Sequence, residues 1–193
     1  MKIIVKILFG LSIVTLFSPS LYAADASAGE KKSVMCANCH GEKGISTSFV
    51  FPNLAGQKAG YIAAQLRAFK KGTRTNSMMQ PFAKKLSTDD INNLAAFFAS
   101  QKNETIHHPE TNIIKKETAS KAQMCKGCHG KNGEGRGTFP RLTSQHVHYL
   151  EQQLNNFKSG DRKGGPMSGI AKSLTEDDIK QLSHYFSNLN AGK

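Results

Sequence analysis

The feature that most constrains this chain is that the same segment occurs twice. A Cys-x-x-Cys-His-Gly motif that begins at Cys36 returns at Cys125, 89 residues later. From Phe51 to Ser100, 20 of 50 positions are identical to the residue 88 positions further on. A register held over such a length indicates a duplicated domain, not chance similarity between two helical segments. The change of offset from 89 to 88 places one residue fewer in the second copy, in the glycine-containing loop after the motif.

Helical periodicity runs through both copies, and no alternating strand pattern competes with it. Ser87 and Thr175 each begin a capping signal, and a glycine follows the central helix of each copy. Three helices are therefore predicted per copy: about 26–41, Ala59–Lys71 and a helix after Ser87 in the first, and about 119–130, Val147–Ser159 and a helix after Thr175 in the second. We expect an all-α fold of two tandem domains.

The N-terminus has the order of a secretory signal peptide. Two lysines lead into an apolar run from Ile7 to Phe17, followed by the small residues Ala23 and Ala24. The run is shorter than the roughly 20 apolar residues of a membrane-spanning helix. We expect residues 1–23 to be removed, with cleavage after Ala23 or Ala24, and a retained N-terminal anchor is the alternative. Cleavage after Ala23 removes two lysines, which lowers the formal charge from +12 to +10.

The rest of the chain is predicted to form two domains joined by a linker. The first domain is assigned to residues 24–102 and the second to residues 119–193. The segment between them, residues 103–118, is polar, contains Pro109 and lacks an apolar stripe, so it is interpreted as the linker. No later segment is long and apolar enough to cross a membrane, so we expect an exported, soluble, periplasmic protein.

All four cysteines of the chain lie in the two Cys-x-x-Cys-His motifs. Two thiols on one helical turn can form thioether bonds to the vinyl groups of haem, and the histidine that follows can ligate the iron. Two domains of about 80 residues with three short helices each also have small apolar cores, which a central cofactor would complete. The motifs therefore predict two covalently bound haem groups. The residues assigned to them are Cys36, Cys39 and His40 in the first copy and Cys125, Cys128 and His129 in the second.

Three other uses of the cysteines compete with haem. A disulfide within each motif would suit an oxidising compartment, but it requires no histidine after the second cysteine. A thioredoxin-like redox pair needs strand and helix surroundings that the pattern lacks. A zinc site could use four cysteines, but export and the repeated histidine favour haem.

The second axial position of each iron is assigned to a methionine on a separate segment. Met79 follows His40 by 39 residues, Met167 follows His129 by 38, and the two methionines are in register. Met78 is the rival of Met79, although it aligns with a proline in the second copy. The repeated methionines that directly precede the first cysteine of each motif, Met35 and Met124, are interpreted as packing residues.

The other histidines do not share the duplicated pattern. The pair in the linker, His107 and His108, is expected to be solvated. The remaining three, His146, His148 and His184, align with residues that cannot ligate a metal in the same way, and we do not expect them to ligate iron.

With these motifs, each half resembles a class I cytochrome c, and the tandem arrangement resembles the cytochrome c4 family of periplasmic dihaem electron carriers. The resemblance covers the mature chain and implies two cytochrome c-like domains, each around one haem. It also implies that the carbonyls of Pro52 and Pro140 accept hydrogen bonds from the proximal histidines, which fixes their tautomer.

The resemblance implies an electron carrier, not an enzyme, with a quinol-oxidising complex as donor and a membrane haem–copper oxidase as acceptor. Two alternatives stay open: the cytochrome subunit of a flavocytochrome c-type dehydrogenase, and a dihaem peroxidase. The chain has little length for the substrate pocket of a peroxidase. Peripheral membrane association and the oligomeric state are left open.

The chain is basic, with a formal charge of +12 and a pI near 9.6. It lacks long Lys/Arg clusters, and an exported protein meets little DNA, so nucleic acid is not expected as a partner. A positive surface near a haem would instead steer docking onto an acidic redox protein and make that association sensitive to salt. Solvated lysines without a particular partner are the alternative.

Overall fold

The computed structural model of the protein describes residues 23–103, the first half, and residues 114–189, the second half. Most of the predicted signal peptide and most of the predicted linker, including His107 and His108, lie outside the described residues. The described helices are α1 Ala26–His40, α2 Ala59–Lys71, α3 Met79–Lys84, α4 Thr88–Ser100, α5 Lys116–His129, α6 Val147–Ser159, α7 Pro166–Lys172 and α8 Glu176–Asn188.

The all-α prediction is confirmed. The described residues contain no strand, only one isolated bridge between Arg136 and Phe139. The bounds of α2 and α6 agree with the predicted ones. Within the two described ranges, no helix combines the length and apolar character needed to cross a bilayer.

Two predictions about the elements are wrong. Each half has four α-helices, because the segment around each repeated methionine forms a short helix, α3 or α7, that periodicity over two turns cannot reveal. Helix α5 begins at Lys116, so the last residues assigned to the linker are helical. The N–H of Lys115 donates to Oε1 of Gln181 at 2.9 Å, a contact from α8 that ties down the start of α5.

The helix ends follow from local sequence. Ser87 and Asp90 form a capping box at α4, and Thr175 and Asp178 form the same box at α8. Helix α1 starts at Asp25, whose carboxylate accepts from the N–H groups of Ser27 and Ala28 at 2.8 and 3.2 Å. These caps set where the helices begin, and hence where their side chains point.

Each half has its own core, built in the same way. Helices α1 and α2 pack on α4, and α5 and α6 pack on α8. The apolar stripe of α4, with Ile91, Leu94 and Phe98, is nearly fully buried, as is its counterpart on α8 with Ile179, Leu182 and Phe186. The two cores are separate, which agrees with a duplicated domain.

Candidate haem sites

The histidine of each motif is the last residue of a helix. His40 ends α1 and His129 ends α5, and the chain then turns at a glycine with positive φ, Gly41 at 77° and Gly130 at 88°. A side chain at Gly41 would also collide with the Ile45 carbonyl, because an added Cβ would lie 1.8 Å from that oxygen. The turn brings the following loop back over the histidine.

Each histidine is held by the proline of that loop. Nδ1 of His40 donates to the Pro52 carbonyl at 2.9 Å, and Nδ1 of His129 donates to the Pro140 carbonyl at the same distance. Since a carbonyl oxygen only accepts, the proton lies on Nδ1 and Nε2 is left as a lone-pair donor for a metal. This is the hydrogen bond implied by the family resemblance, and the structure has it in both halves.

Burial keeps these imidazoles in the ligand form. His40 and His129 are buried, and desolvation lowers the pKa of both, although the proline carbonyls act in the opposite direction. A neutral imidazole is the form that binds a metal. The two histidines are therefore prepared as ligands before any metal is present.

The four cysteines are free thiols and lie beside their histidines in the walls of one cavity. Burial, together with Cys39, raises the pKa of Cys36 to about 11, and burial also raises the pKa of Cys125. Neither motif forms a disulfide. The described residues also contain no group of three or more His, Cys, Asp or Glu side chains that could hold a metal ion.

The repeated methionines also border this cavity. Met79 is the first residue of α3 and Met167 is the second of α7, and both are half-buried. Met78 also borders the cavity but is 49% exposed. Oδ1 of Asn76 accepts from the N–H groups of Met78 and Met79 at 3.1 and 2.9 Å, which fixes the start of α3.

The other repeated methionines differ from each other. Met35 packs against the first core, as predicted, whereas Met124 borders the cavity and is 61% exposed.

The cavity has a volume of about 720 Å³ and runs through both halves. Its walls are mostly apolar, with Leu, Ile, Phe and Met side chains from both halves. Four cationic residues border it: Arg74, Arg141, Arg162 and Lys163. No Asp or Glu of the described residues does. Haem is a flat apolar ring with two carboxylates, so apolar walls with cations and without acids fit it well.

The two halves are joined by two glutamines, each of which binds the backbone of a residue in the opposite half, and we call this contact the glutamine exchange. Nε2 of Gln57 donates to the Arg141 carbonyl at 2.9 Å, and its Oε1 accepts from the Arg141 N–H at 2.7 Å. Gln145 does the same with Asn53, at 3.0 and 2.9 Å. Gln145 lies 88 residues after Gln57, and Arg141 lies 88 residues after Asn53. The contact is therefore a pseudo-twofold one.

A second repeated set of residues also joins the halves. Arg74 donates to the Tyr149 hydroxyl and to Gln153 at 3.2 and 2.7 Å, and Arg162 donates to the Tyr61 hydroxyl and to Gln65 at 2.9 and 3.0 Å. Burial would raise the pKa of Tyr61, but the cations Arg162 and Arg74 lower it below its ordinary value. The six residues of this cluster are Tyr61, Gln65, Arg74, Tyr149, Gln153 and Arg162.

Sequence reasoning missed these interface residues. The sequence signal that could have found them is the recurrence of the same polar residues 88 positions further on, because helix periodicity alone does not require those residues to be identical. Three histidines that lie outside the repeat do not border the cavity: His146, His148 and His184. His146 joins the halves instead, with Nε2 at 3.0 Å from the Ser46 carbonyl, and His148 contacts Phe49 edge-on.

Comparison with known proteins matches each half to a cytochrome family. Residues 24–98 match the family described as cytochrome c oxidase, cbb3-type, subunit III, and residues 117–190 match the family described as cytochrome c.

Full-length relatives share the tandem arrangement. The chain is 34% identical to cytochrome c4 of Pseudomonas aeruginosa, over 98% of this chain and 99% of the relative. The crystal structure of reduced recombinant cytochrome c4 from Pseudomonas stutzeri superposes with a TM-score of 0.80 at 34% identity, over 87% of this chain and 100% of that one. A protein of Stutzerimonas stutzeri named thiosulfate dehydrogenase electron acceptor is 33% identical, over 81% of this chain and 80% of the relative.

Proposed function

The chain belongs to the cytochrome c4 family of dihaem electron-transfer cytochromes, and from this premise we propose that it carries single electrons between periplasmic respiratory partners. It holds two covalently bound haem c groups and is an electron carrier, not an enzyme. The proposed donor is a quinol-oxidising complex, and the proposed acceptor is a membrane haem–copper oxidase. The signal-like N-terminus supports export to the periplasm.

The proposed attachment follows the two motifs and the two methionines. When bound, haem supplies one-electron exchange at its iron. Cys36, Cys39, Cys125 and Cys128 would hold the two haem groups through thioether bonds, and His40 with Met79 and His129 with Met167 would ligate the two irons. The Pro52 and Pro140 carbonyls hold the protons of the histidines on Nδ1, which leaves Nε2 as the lone-pair donor that would bind the iron.

One observation carries the proposal: each half places a histidine fixed by a proline carbonyl and a half-buried methionine on the walls of the same apolar cavity. With a thioether in the second axial position, a haem iron has no open position for peroxide or another substrate. Such a site exchanges electrons with little rearrangement. This argues against the dihaem peroxidase.

The interface supports transfer between the halves. The cavity is continuous through both halves, and the glutamine exchange holds them in one arrangement. Electrons can then arrive at one half and leave from the other, which a single domain cannot do. Flash reduction of one haem should be followed by rapid first-order transfer to the other. Transfer that depends on protein concentration would contradict the relay.

The deciding experiment is an absorption spectrum of the purified, oxidised, full-length protein. We expect two low-spin haems and the weak methionine–iron band near the red end of the visible range, integrated to two per chain. A high-spin signal from either haem would contradict the closed sites and favour an enzyme.

The similarity to a thiosulfate dehydrogenase electron acceptor favours one alternative, in which the donor is a dehydrogenase. The formal charge of +10 expected after removal of residues 1–23 suits an acidic partner in either case. Affinity capture from periplasmic extract, with the haem-loaded protein as bait, distinguishes a quinol-oxidising complex from a dehydrogenase as the donor. Recovery of a dehydrogenase, flavin-containing or not, would move the assignment to the dehydrogenase partner. The reaction with either partner should slow as ionic strength rises.

A further inference from the structure

Arg141 is a buried positive charge between the halves. The residue is 4% exposed, and its Nη2 donates to the Ala55 carbonyl of the first half at 2.6 Å. Its Nε and Nη1 atoms are buried and have no hydrogen-bond partner among the described residues. Most buried polar groups are satisfied, and Arg141 borders the cavity, so the carboxylates of haem are the acceptors that these two donors would fit.

Among the described residues, no acidic side chain pairs with this charge. The ion pairs of the described residues are Lys32–Asp90, Lys115–Asp177 and Lys121–Asp178, and none of them involves Arg141. Burial lowers the pKa of Arg141 to about 10, which still leaves the guanidinium protonated at neutral pH. A buried cation acts over a longer range than an exposed one, because the surroundings screen it poorly.

The first half has a neutral residue at the equivalent position. Asn53 follows Pro52 as Arg141 follows Pro140, and each backbone is bound by the glutamine of the other half. The Asn53 amide is fully used: it accepts from the Ser46 N–H at 2.8 Å and donates to the Ser144 carbonyl at 3.0 Å. The two proximal sites therefore have the same geometry and differ by one buried charge.

We propose that Arg141 raises the reduction potential of the second haem above the value that a neutral residue there would give. Oxidation of a haem by one electron adds one positive charge to its site, and a nearby buried cation opposes that change. The backbone of Arg141 directly follows the residue whose carbonyl holds His129, whereas its Nη2 reaches the Ala55 carbonyl of the first half, so a comparison of the two potentials decides which haem feels the charge more. The inference rests on the proposed dihaem function, and it names a positioning charge, not a ligand.

The test is a redox titration of the loaded full-length protein with Arg141→Asn, which copies the Pro-Asn-Leu sequence that the first half already accommodates. We expect the potential of the second haem to fall by more than that of the first. Loss of the methionine–iron band in Met167→Ala identifies which signals belong to the second haem. Arg141→Lys, which keeps the charge, should restore most of the potential.

The control is Lys180→Gln, which removes one positive charge from an exposed position on α8 of the same half. Water screens this site, so its shift should be much smaller. Arg141 would not be the cause if Arg141→Asn shifts the second potential no more than Lys180→Gln, or if Arg141→Lys lowers it equally. Arg141→Gln provides the neutral comparison if Arg141→Asn does not retain both haems. A wild-type protein without two low-spin haems would instead overturn the proposed function.

Discussion

Arg74 and Arg162 lie 88 residues apart in the chain, and each donates a hydrogen bond to the tyrosine hydroxyl of the opposite half. Each also stacks its guanidinium on a phenylalanine of its own half, Phe69 at 4.5 Å and Phe157 at 4.4 Å from the ring centroid. The duplication therefore produced two similar domains and also a self-complementary contact between them.

The glutamine exchange should contribute measurably to stability. Gln57→Ala removes both hydrogen bonds to the buried backbone N–H and carbonyl of Arg141, together with a third from the Lys58 N–H. We expect a loss of about 2 kcal/mol in the free energy of unfolding, from the cost of unsatisfied buried groups. Urea denaturation of the loaded protein measures it, and Gln145→Ala should give a similar loss.

The matched control for the glutamines is Gln123→Ala, which truncates an exposed glutamine on α5. It should change the free energy of unfolding by less than about 0.5 kcal/mol. Equal losses in all three variants would mean that the exchange across the halves does not stabilise the pair.

The methionine assignment predicts separate effects on the two haems. Met79→Ala and Met167→Ala should each convert one haem to the high-spin state, because each removes a thioether ligand. Met78→Ala should leave both haems low-spin, since Met78 is 49% exposed and lies outside the repeated register. Absorption and electron paramagnetic resonance spectra check this. A high-spin haem in Met78→Ala would reverse the assignment in the first half.

Covalent attachment predicts that the haem groups stay bound to the protein after denaturation. The wild-type protein should carry two haems in acid, through four thioether bonds. The double variant Cys36→Ala, Cys39→Ala should retain one haem, on Cys125 and Cys128. Intact mass spectrometry in acid measures both values. A wild-type mass with one haem, or with a disulfide in place of a haem, would contradict the assignment.

The capping carboxylate of α4, Asp90, should account for part of the stability that the fold loses in acid. The Ser87 N–H donates to Asp90 at 2.8 Å, and this bond, with Lys32 at 3.1 Å, lowers the pKa of Asp90 below its ordinary value of 3.8. A carboxylate with a depressed pKa stabilises the fold above the pKa of the unfolded chain. That stability is lost as pH falls through the folded-state pKa, between about pH 5 and pH 2.

Asp90→Asn should therefore cost about 1 kcal/mol at neutral pH and flatten the fall of stability in acid. Asp89→Asn, at the exposed neighbouring position, is the control. Urea denaturation across this pH range compares them. An unchanged pH profile for Asp90→Asn would show that the capping box does not contribute to acid sensitivity.

The sequence alone determined those features that depend on residues close together in the chain. The Cys-x-x-Cys-His motif places thiols and imidazole on adjacent turns, and the capping boxes and apolar stripes set the main helices, because these interactions act within a few residues. Met79 was also assigned from sequence, although it lies 39 residues from His40, because the second copy supplies an internal alignment at Met167.

Only the tertiary structure decided what joins the copies. Gln57 meets Arg141 across 84 residues, and the start of α5 is held by Gln181 from α8. No periodicity or cap encodes such contacts, because their partners are brought together only when both domains have folded and docked. The same reason explains Arg141: its sequence position resembles that of Asn53, and only packing shows that its charge is buried and unpaired.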